Sequence, residues 1–244
     1  MDERLKYIAE NYEQMKIGPD DPFRFHCKEC GKCCIHREDI LLSPHDLFRA
    51  ARELGMTTVE FYNQYCEGYI GQDSRLTIIR LMPQGSVHRC PLLKNHHCMI
   101  HKVKPAVCAM FPVGRGVAIP KDKTSAEDAE LQIQYILQPP ACGDRSETHT
   151  VREWLASFGM DVEDPIFLQW QRFILFAHNK IVKLEKQLEP PEMNRCWNLL
   201  AYCAYMNYDT GKEFSPQFEE NLATARKLLE AYERAAQGVQ PDAG

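Results

Sequence analysis

FHCKECGKCC, residues 25–34, sets Cys27, Cys30 and Cys33 at a regular two-residue gap and places Cys34 directly after them. Core packing does not call for thiols at that density, whereas metal coordination does. A C-x2-C pair turns both sulfurs toward one centre when the residues between form a tight turn, and Gly31 supplies backbone freedom for the second such turn. Adjacent cysteines behave differently. Neighbouring side chains diverge in most backbone conformations, so Cys33 and Cys34 are expected to face different sites, or one to ligate while the other packs.

The rest of the chain bounds what such a site can belong to. Its 244 residues suit one medium domain, or a domain with an extension, and are ample for a core that does not rest on metal alone. A net charge of -5, with both signs mixed along the chain, offers no basic stripe for nucleic acid and no polybasic run for a lipid surface. The opening MDERLKYIAENYEQMK is charged and amphipathic, and no segment reaches about 18 uninterrupted apolar residues, so the reading is a soluble, cytoplasmic protein. Thiols stay reduced there, and eleven cysteines, an odd total, fit a complete disulfide framework poorly.

Periodicity organises the remainder. Leu5, Ile8, Tyr12 and Met15 recur at helical spacing until Gly18-Pro19 stops them. Ser43-Pro44 opens a helix with stripe Leu47, Phe48, Ala51 and Leu54, and Thr57 with Glu60 announces another that carries Cys66 as a buried residue. The run RLTIIRLM at 75–82 ends at Pro83-Gln84-Gly85-Ser86 and resumes toward Cys90, which predicts a hairpin in a small antiparallel sheet. Cys90, Cys98 and Cys108 then surround a short apolar stretch, with Pro105 suited to open a brief helix. Strands are expected at 113–119 and 131–137, with Cys142-Gly143 in the loop beyond. Helices are expected at roughly 150–158, 164–188, 192–206 and 216–236, the last starting at Ser215-Pro216, and Cys196 and Cys203 read as core thiols on one helical face. The domain boundaries read 1–22 for an N-terminal packing helix, 23–146 for the cysteine domain, 147–236 for a helical C-terminal extension and 237–244 for a disordered tail. The fold class is therefore α+β: a small cysteine-rich metal-binding domain with a short antiparallel sheet and helices, followed by a helical C-terminal extension packed onto it.

Several spaced elements agree in order: Phe25-x-Cys27-x2-Cys30-Gly31-x-Cys33-Cys34, Ile40-Leu41-Leu42-Ser43-Pro44-His45-Asp46, Cys90-Pro91-Leu92-Leu93, Cys98-Met99-Ile100-His101, Lys104-Pro105-Ala106-Val107-Cys108 and Phe111-Pro112. Together they resemble the bacterial and archaeal CxxCxxCC cysteine-cluster family, also called YkgJ-like and described as zinc- or iron-chelating, over roughly residues 23–145. The resemblance departs at two positions, since the family commonly has tyrosine where His101 stands and arginine where Lys104 stands. His101 is then an extra ligand or a tolerated aromatic replacement, the second being favoured. A related cysteine module occurs in flagellin lysine methylases, for which an iron–sulfur cluster is implicated in methyl transfer from S-adenosylmethionine. This precedent implies iron–sulfur chemistry without transferring a substrate, and Gly114-Arg115-Gly116 is no convincing nucleotide loop.

Within the resemblance stand eight cysteines, Cys27, Cys30, Cys33, Cys34, Cys90, Cys98, Cys108 and Cys142, enough for two four-sulfur sites. They could make a cubane cluster, a pair of tetrahedral zinc sites, or one site with spare thiols. The C-x2-C-x2-C run is like the one that grips a four-iron cluster in bacterial ferredoxins, where a remote cysteine completes the set, so a 4Fe-4S iron–sulfur cluster is favoured over zinc. His26, His36, His88, His96, His97 and His101 crowd the two segments and read as flanking residues rather than ligands. Asp39, Asp46 and Glu53 are helix-proximal carboxylates, Asp46 answering the helix dipole. Three function classes remain open: an iron–sulfur protein with a redox or protein-modifying role, a zinc-stapled interaction module, and a metal-handling protein. The partner or substrate would be a protein, not nucleic acid or membrane.

Overall fold

The computed structural model describes residues 3–36, 40–118, 130–140 and 142–237, the side chains from residue 6 onward. Ile119 of the expected strand, Asp39, Leu5's side chain and the 238–244 tail lie outside the described residues. The elements in chain order are α1 (Glu3–Met15), β1 (Lys16–Ile17), β2 (Pro22–His26), a 3-10 turn (Lys32–Cys34), β3 (Leu41–Leu42), α2 (Pro44–Glu53), α3 (Thr58–Tyr65), β4 (Cys66–Ile70) and β5 (Thr77–Leu81). They continue with β6 (Leu93–Lys94), β7 (His97–Cys98), a 3-10 turn (His101–Val103), α4 (Ala106–Ala109), β8 (Val113–Ala118), β9 (Gln132–Leu137), β10 (Asp144–Thr150), α5 (Val151–Ala156), α6 (Pro165–Leu184), α7 (Pro190–Ala201), a π-helical turn (Tyr202–Met206) and α8 (Phe214–Ala236). The fold is α+β, with small antiparallel sheets and a helical C-terminal region. No helix among the described residues is long and apolar enough to cross a membrane.

Contacts group the chain into two compact units that interleave in sequence: Met1–Ile40 with Pro83–Leu168, and Leu41–Met82 with Gln169–Gly244. In the first unit, β1-β9-β8 form one antiparallel sheet and β2 pairs with β10 in a two-stranded ladder. Phe23 and Phe25 alternate with outward Pro22, Arg24 and His26, the period of two that a half-buried strand requires. Both phenylalanines meet the Trp154 ring edge-on, and Trp154 Nε1 donates to the Met110 carbonyl at 2.9 Å. This aromatic cluster, with Val113, Tyr135, Val151 and Leu155, is the first unit's core, and Cys27 packs against its rim. The β10 strand escapes the sequence reading because DRSETHT carries no apolar alternation. Its residues 145–147 bulge against Phe25 alone, since Asp144 pairs with His26 and Thr148 with Arg24.

The second unit corrects the expected hairpin. Strand β5 pairs upstream with β4 and β3, and toward Cys90 there is only the isolated Gln84–Arg89 bridge. Pro83, two residues past the end of β5, has no N–H to extend the ladder, whereas β4 connects to β5 through the tight 71–76 turn. Cys66 is buried as expected but opens β4 rather than continuing the helix. The expected capping box of Thr57 with Glu60 is present, and Ser43 with Asp46 forms a second, so Asp46 caps α2 through hydrogen bonds besides meeting its dipole. Helix α8 starts at Phe214, ahead of the expected Ser215-Pro216, because Phe214 is buried in an aromatic stack with Tyr208 and Phe218. Trp197 Nε1 and His178 Nδ1 meet the carbonyls of Arg75 and Ser74, tying α7 and α6 to the β4–β5 connection. Cys196 is fully buried and Cys203 half-buried. Burial pushes the Cys196 thiol up to about 12, as befits a thiol in apolar packing.

Phe25→Ala removes a side chain only 1% exposed from the ring cluster beside Cys27. It should cost about 3–5 kcal/mol in a urea titration followed by tryptophan fluorescence. A loss under about 1 kcal/mol would remove Phe25 from the core.

Candidate metal centre

Strand β2 delivers Cys27 at its end, and the chain then turns twice. Glu29 (φ 48°) and Gly31 (φ 70°) both take the left-handed conformation, on either side of Cys30, and the Lys32–Cys34 turn follows, with the Cys34 N–H on the Gly31 carbonyl at 2.9 Å. The Cys33 and Cys34 sulfurs lie 4.0 Å apart.

The second batch of cysteines is brought in by main-chain pairing. The Cys90 N–H donates to the Cys34 carbonyl at 2.8 Å, and the His36 N–H to the Val87 carbonyl at 3.0 Å, so segments 34–36 and 87–90 run side by side. From there β6 and β7 form a hairpin in which Leu93 stands opposite Cys98, turned by left-handed Asn95 and His96. The Leu92 and Leu93 amides donate to the Cys90 sulfur, and the Ile100 amide to that of Cys98. Such N–H···S bonds favour the thiolate over the thiol. Cys108 rides on α4, behind Pro105. Cys142 arrives from the β2–β10 ladder: Asp144 opposite His26 carries the preceding residues back along the first cysteine run, and the Cys142 thiol hydrogen-bonds that of Cys30. A side chain at Gly143 (φ 74°) would come within 2.5 Å of the His26 carbonyl, so only glycine permits this approach.

Backbone strain concentrates around these thiols. Of the six described non-glycine residues with positive φ, all but Arg75 (Glu29, His36, His88, Asn95 and His96) lie in the 29–36 and 88–96 segments. Left-handed non-glycine residues persist where surrounding structure over-determines them, and they gather at binding sites.

The thiols also act on one another. Cys34 is held well above the usual thiol range, first by its hydrogen bond with Cys33, then by burial, then by the thiols of Cys33, Cys90 and Cys108. Burial pushes Cys90 up to about 11, the Leu92 and Leu93 amides pulling the other way while Cys98 and Cys33 add to the rise. Burial raises Cys98 too, against the Ile100 amide and the Lys104 ammonium. Burial pushes Cys142 up to about 11 as well, helped by Cys33, Cys30 and Cys27. Thiols crowded enough to resist ionising together are suited to a cation that replaces their protons. Among the described residues no three His, Cys, Asp or Glu side chains stand in a ready-made coordination sphere, and none of the eleven cysteines forms a disulfide. The donor set nonetheless fits zinc or an iron–sulfur cluster, both of which select soft thiolates.

The nearby imidazoles are engaged elsewhere. His101 Nε2 lies 3.4 Å from Glu29, tying the second cysteine segment to the first, and His26 lies 3.6 Å from both Asp144 and Glu147. His97 Nδ1 meets the Asn95 carbonyl at 2.8 Å. The amides at Leu92, Leu93 and Ile100 and the cation of Lys104 escape a reading by residue type, since three of the four act through the backbone.

A raised thiol pKa stabilises the metal-free fold below the ordinary thiol value of about 8.5 and ceases to do so as pH climbs through the folded value. For Cys90 and Cys142 that value is about 11. Denaturation midpoints of metal-free protein should therefore fall between about pH 8.5 and 11, and fall less in Cys90→Ala. Equal pH slopes in the two proteins would contradict it.

Residues 26–142 match the family model CxxCxxCC, described as a "putative zinc- or iron-chelating domain". Among curated proteins and solved structures, none matches the chain. The matched span begins one residue before Cys27 and ends on Cys142, and so contains all eight candidate thiols. By that match and by its own cysteine pattern, the segment 26–142 is similar to the CxxCxxCC domain.

Proposed function

We propose that the first unit is an iron–sulfur module that works in the cytoplasm, with Cys27, Cys30, Cys33, Cys34, Cys90, Cys98, Cys108 and Cys142 as its pool of thiolate ligands. The observation that carries the reading is the β2–β10 ladder, which sets Asp144 opposite His26 and so brings Cys142 back to the start of the first cysteine run. It joins a remote cysteine to a C-x2-C-x2-C run, the ligand pattern of a four-iron cluster. Cys27, Cys30 and Cys33 hold three corners and Cys142 the fourth. The bound group would supply one-electron chemistry, while the chain's own part is to orient four sulfurs and to set how much water reaches them. Cys30 is exposed, whereas Cys27, Cys33 and Cys142 are half-buried, so one edge of the site faces solvent. An exposed edge suits electron exchange with a protein partner, and we assign the module a redox or protein-modifying role on such a partner. A reducing cytoplasm keeps these thiols available for metal.

Anaerobically purified protein should contain iron and acid-labile sulfide in equal amounts and absorb near about 400 nm, the signature of thiolate-held clusters. Stoichiometric zinc with no iron, no sulfide and no visible band would overturn the reading in favour of a zinc-stapled module. Cys30→Ser should lower cluster content and melting temperature together, and an unchanged cluster and melt would remove Cys30 from the ligand set.

A further inference from the structure

From Pro83 to Ala118 the sequence carries Arg89, Lys94, Lys102, Lys104 and Arg115 but no Asp or Glu, although the chain as a whole is net -5. Two of these cations are engaged within the first unit: Arg115 pairs with Asp164, and Lys104 lies over the Phe158 ring. Arg89, Lys94 and Lys102 are exposed, and so is Lys32 of the first cysteine run. Among the described residues, no carboxylate forms an ion pair with any of these four.

Backbone contacts gather them on one face. Segments 34–36 and 87–90 run side by side, which sets Arg89 next to the first run. A side chain at Gly31 would lie 3.5 Å from the His96 carbonyl oxygen, so Lys32 stands beside the β6–β7 hairpin that carries Lys94. The contact of Glu29 with His101 brings Lys102 to the same neighbourhood. Val87 and Met99 are exposed apolar side chains within these segments, and exposed Cys30 lies among them. From this geometry we infer that the face made by residues 28–36 and 87–102 docks an acidic segment of a protein partner, its carboxylates on Lys32, Arg89, Lys94 and Lys102. The inference names the chemistry of the partner invoked above, and rests on that reading only in taking the partner to be a protein.

Charge and composition both favour such an occupant. Like charges held on one face repel, and an acidic chain laid across them relieves that repulsion and steers encounter toward exposed Cys30. Val87 and Met99 need apolar partners, which an acidic peptide with interleaved apolar side chains supplies. Nucleic acid fits the face less well, because neither segment contains a Phe, Tyr or Trp on which a base could stack.

Fluorescence anisotropy of the purified protein with a dye-labelled peptide of alternating Glu and Leu tests the inference. The peptide should bind, and its Gln–Leu counterpart should not. Raising salt from about 0.1 to about 1 M, which shortens the screening length from about 10 to about 3 Å, should weaken binding by about tenfold or more. Lys94→Glu combined with Lys102→Glu should weaken it as much, whereas Lys183→Glu combined with Lys227→Glu, the same change of charge at exposed positions of the second unit, should leave it unchanged. If the first double variant fails to fold, carbodiimide coupling of the peptide to the wild-type protein decides: amide bonds at Lys32, Lys94 or Lys102 support the inference, and bonds only elsewhere overturn it. It is also overturned by no binding, by equal binding to the two double variants, or by tighter binding of a single-stranded oligonucleotide or of phosphatidylserine vesicles. Salt-sensitive peptide binding by a protein without iron supports the docking face while sinking the iron–sulfur reading, and an iron- and sulfide-loaded protein that ignores the peptide does the reverse.

Discussion

Thiols crowded into a partly dry space resist ionising together, and the architecture of the first unit depends on that repulsion. Each of Cys34, Cys90, Cys98 and Cys142 is raised by burial, and each by at least one other thiol of the group. Left as thiols they are poor hydrogen-bonding groups, and left as thiolates they repel. A cation removes both difficulties, because its charge outweighs the desolvation that keeps the protons on. The left-handed residues at 29, 36, 88, 95 and 96 show that the backbone accepts strain to gather these sulfurs.

The surrounding fold provides what such a site needs. The β2–β10 ladder ties Cys27 to Cys142 across more than a hundred residues, a long closure in which a metal's contribution adds to hydrogen bonds already formed. Behind the ladder, the Phe23–Phe25–Trp154 ring cluster anchors β2 from its inner face. The same strand therefore turns Phe23 and Phe25 into the core and ends one residue before Cys27, a candidate ligand.

Much of this was legible in the sequence, and the parts that were not have physical causes. The cysteine run, the second cysteine segment and the Thr57–Glu60 capping box follow from residue type and spacing, since each is local. The pairing of β5 was misread because strand propensity does not say which neighbour a strand chooses, and Pro83 vetoed the downstream one. Strand β10 was invisible because its residues are polar and its partner lies far upstream, so only the ladder defines it. The family match over residues 26–142 agrees with the local reading and, like it, leaves zinc and iron undistinguished.

X-ray absorption at the iron edge of anaerobically purified protein tests the central claim, that these thiolates hold the metal, most directly. The account predicts a first shell made only of sulfur. A first shell dominated by nitrogen or oxygen would contradict it.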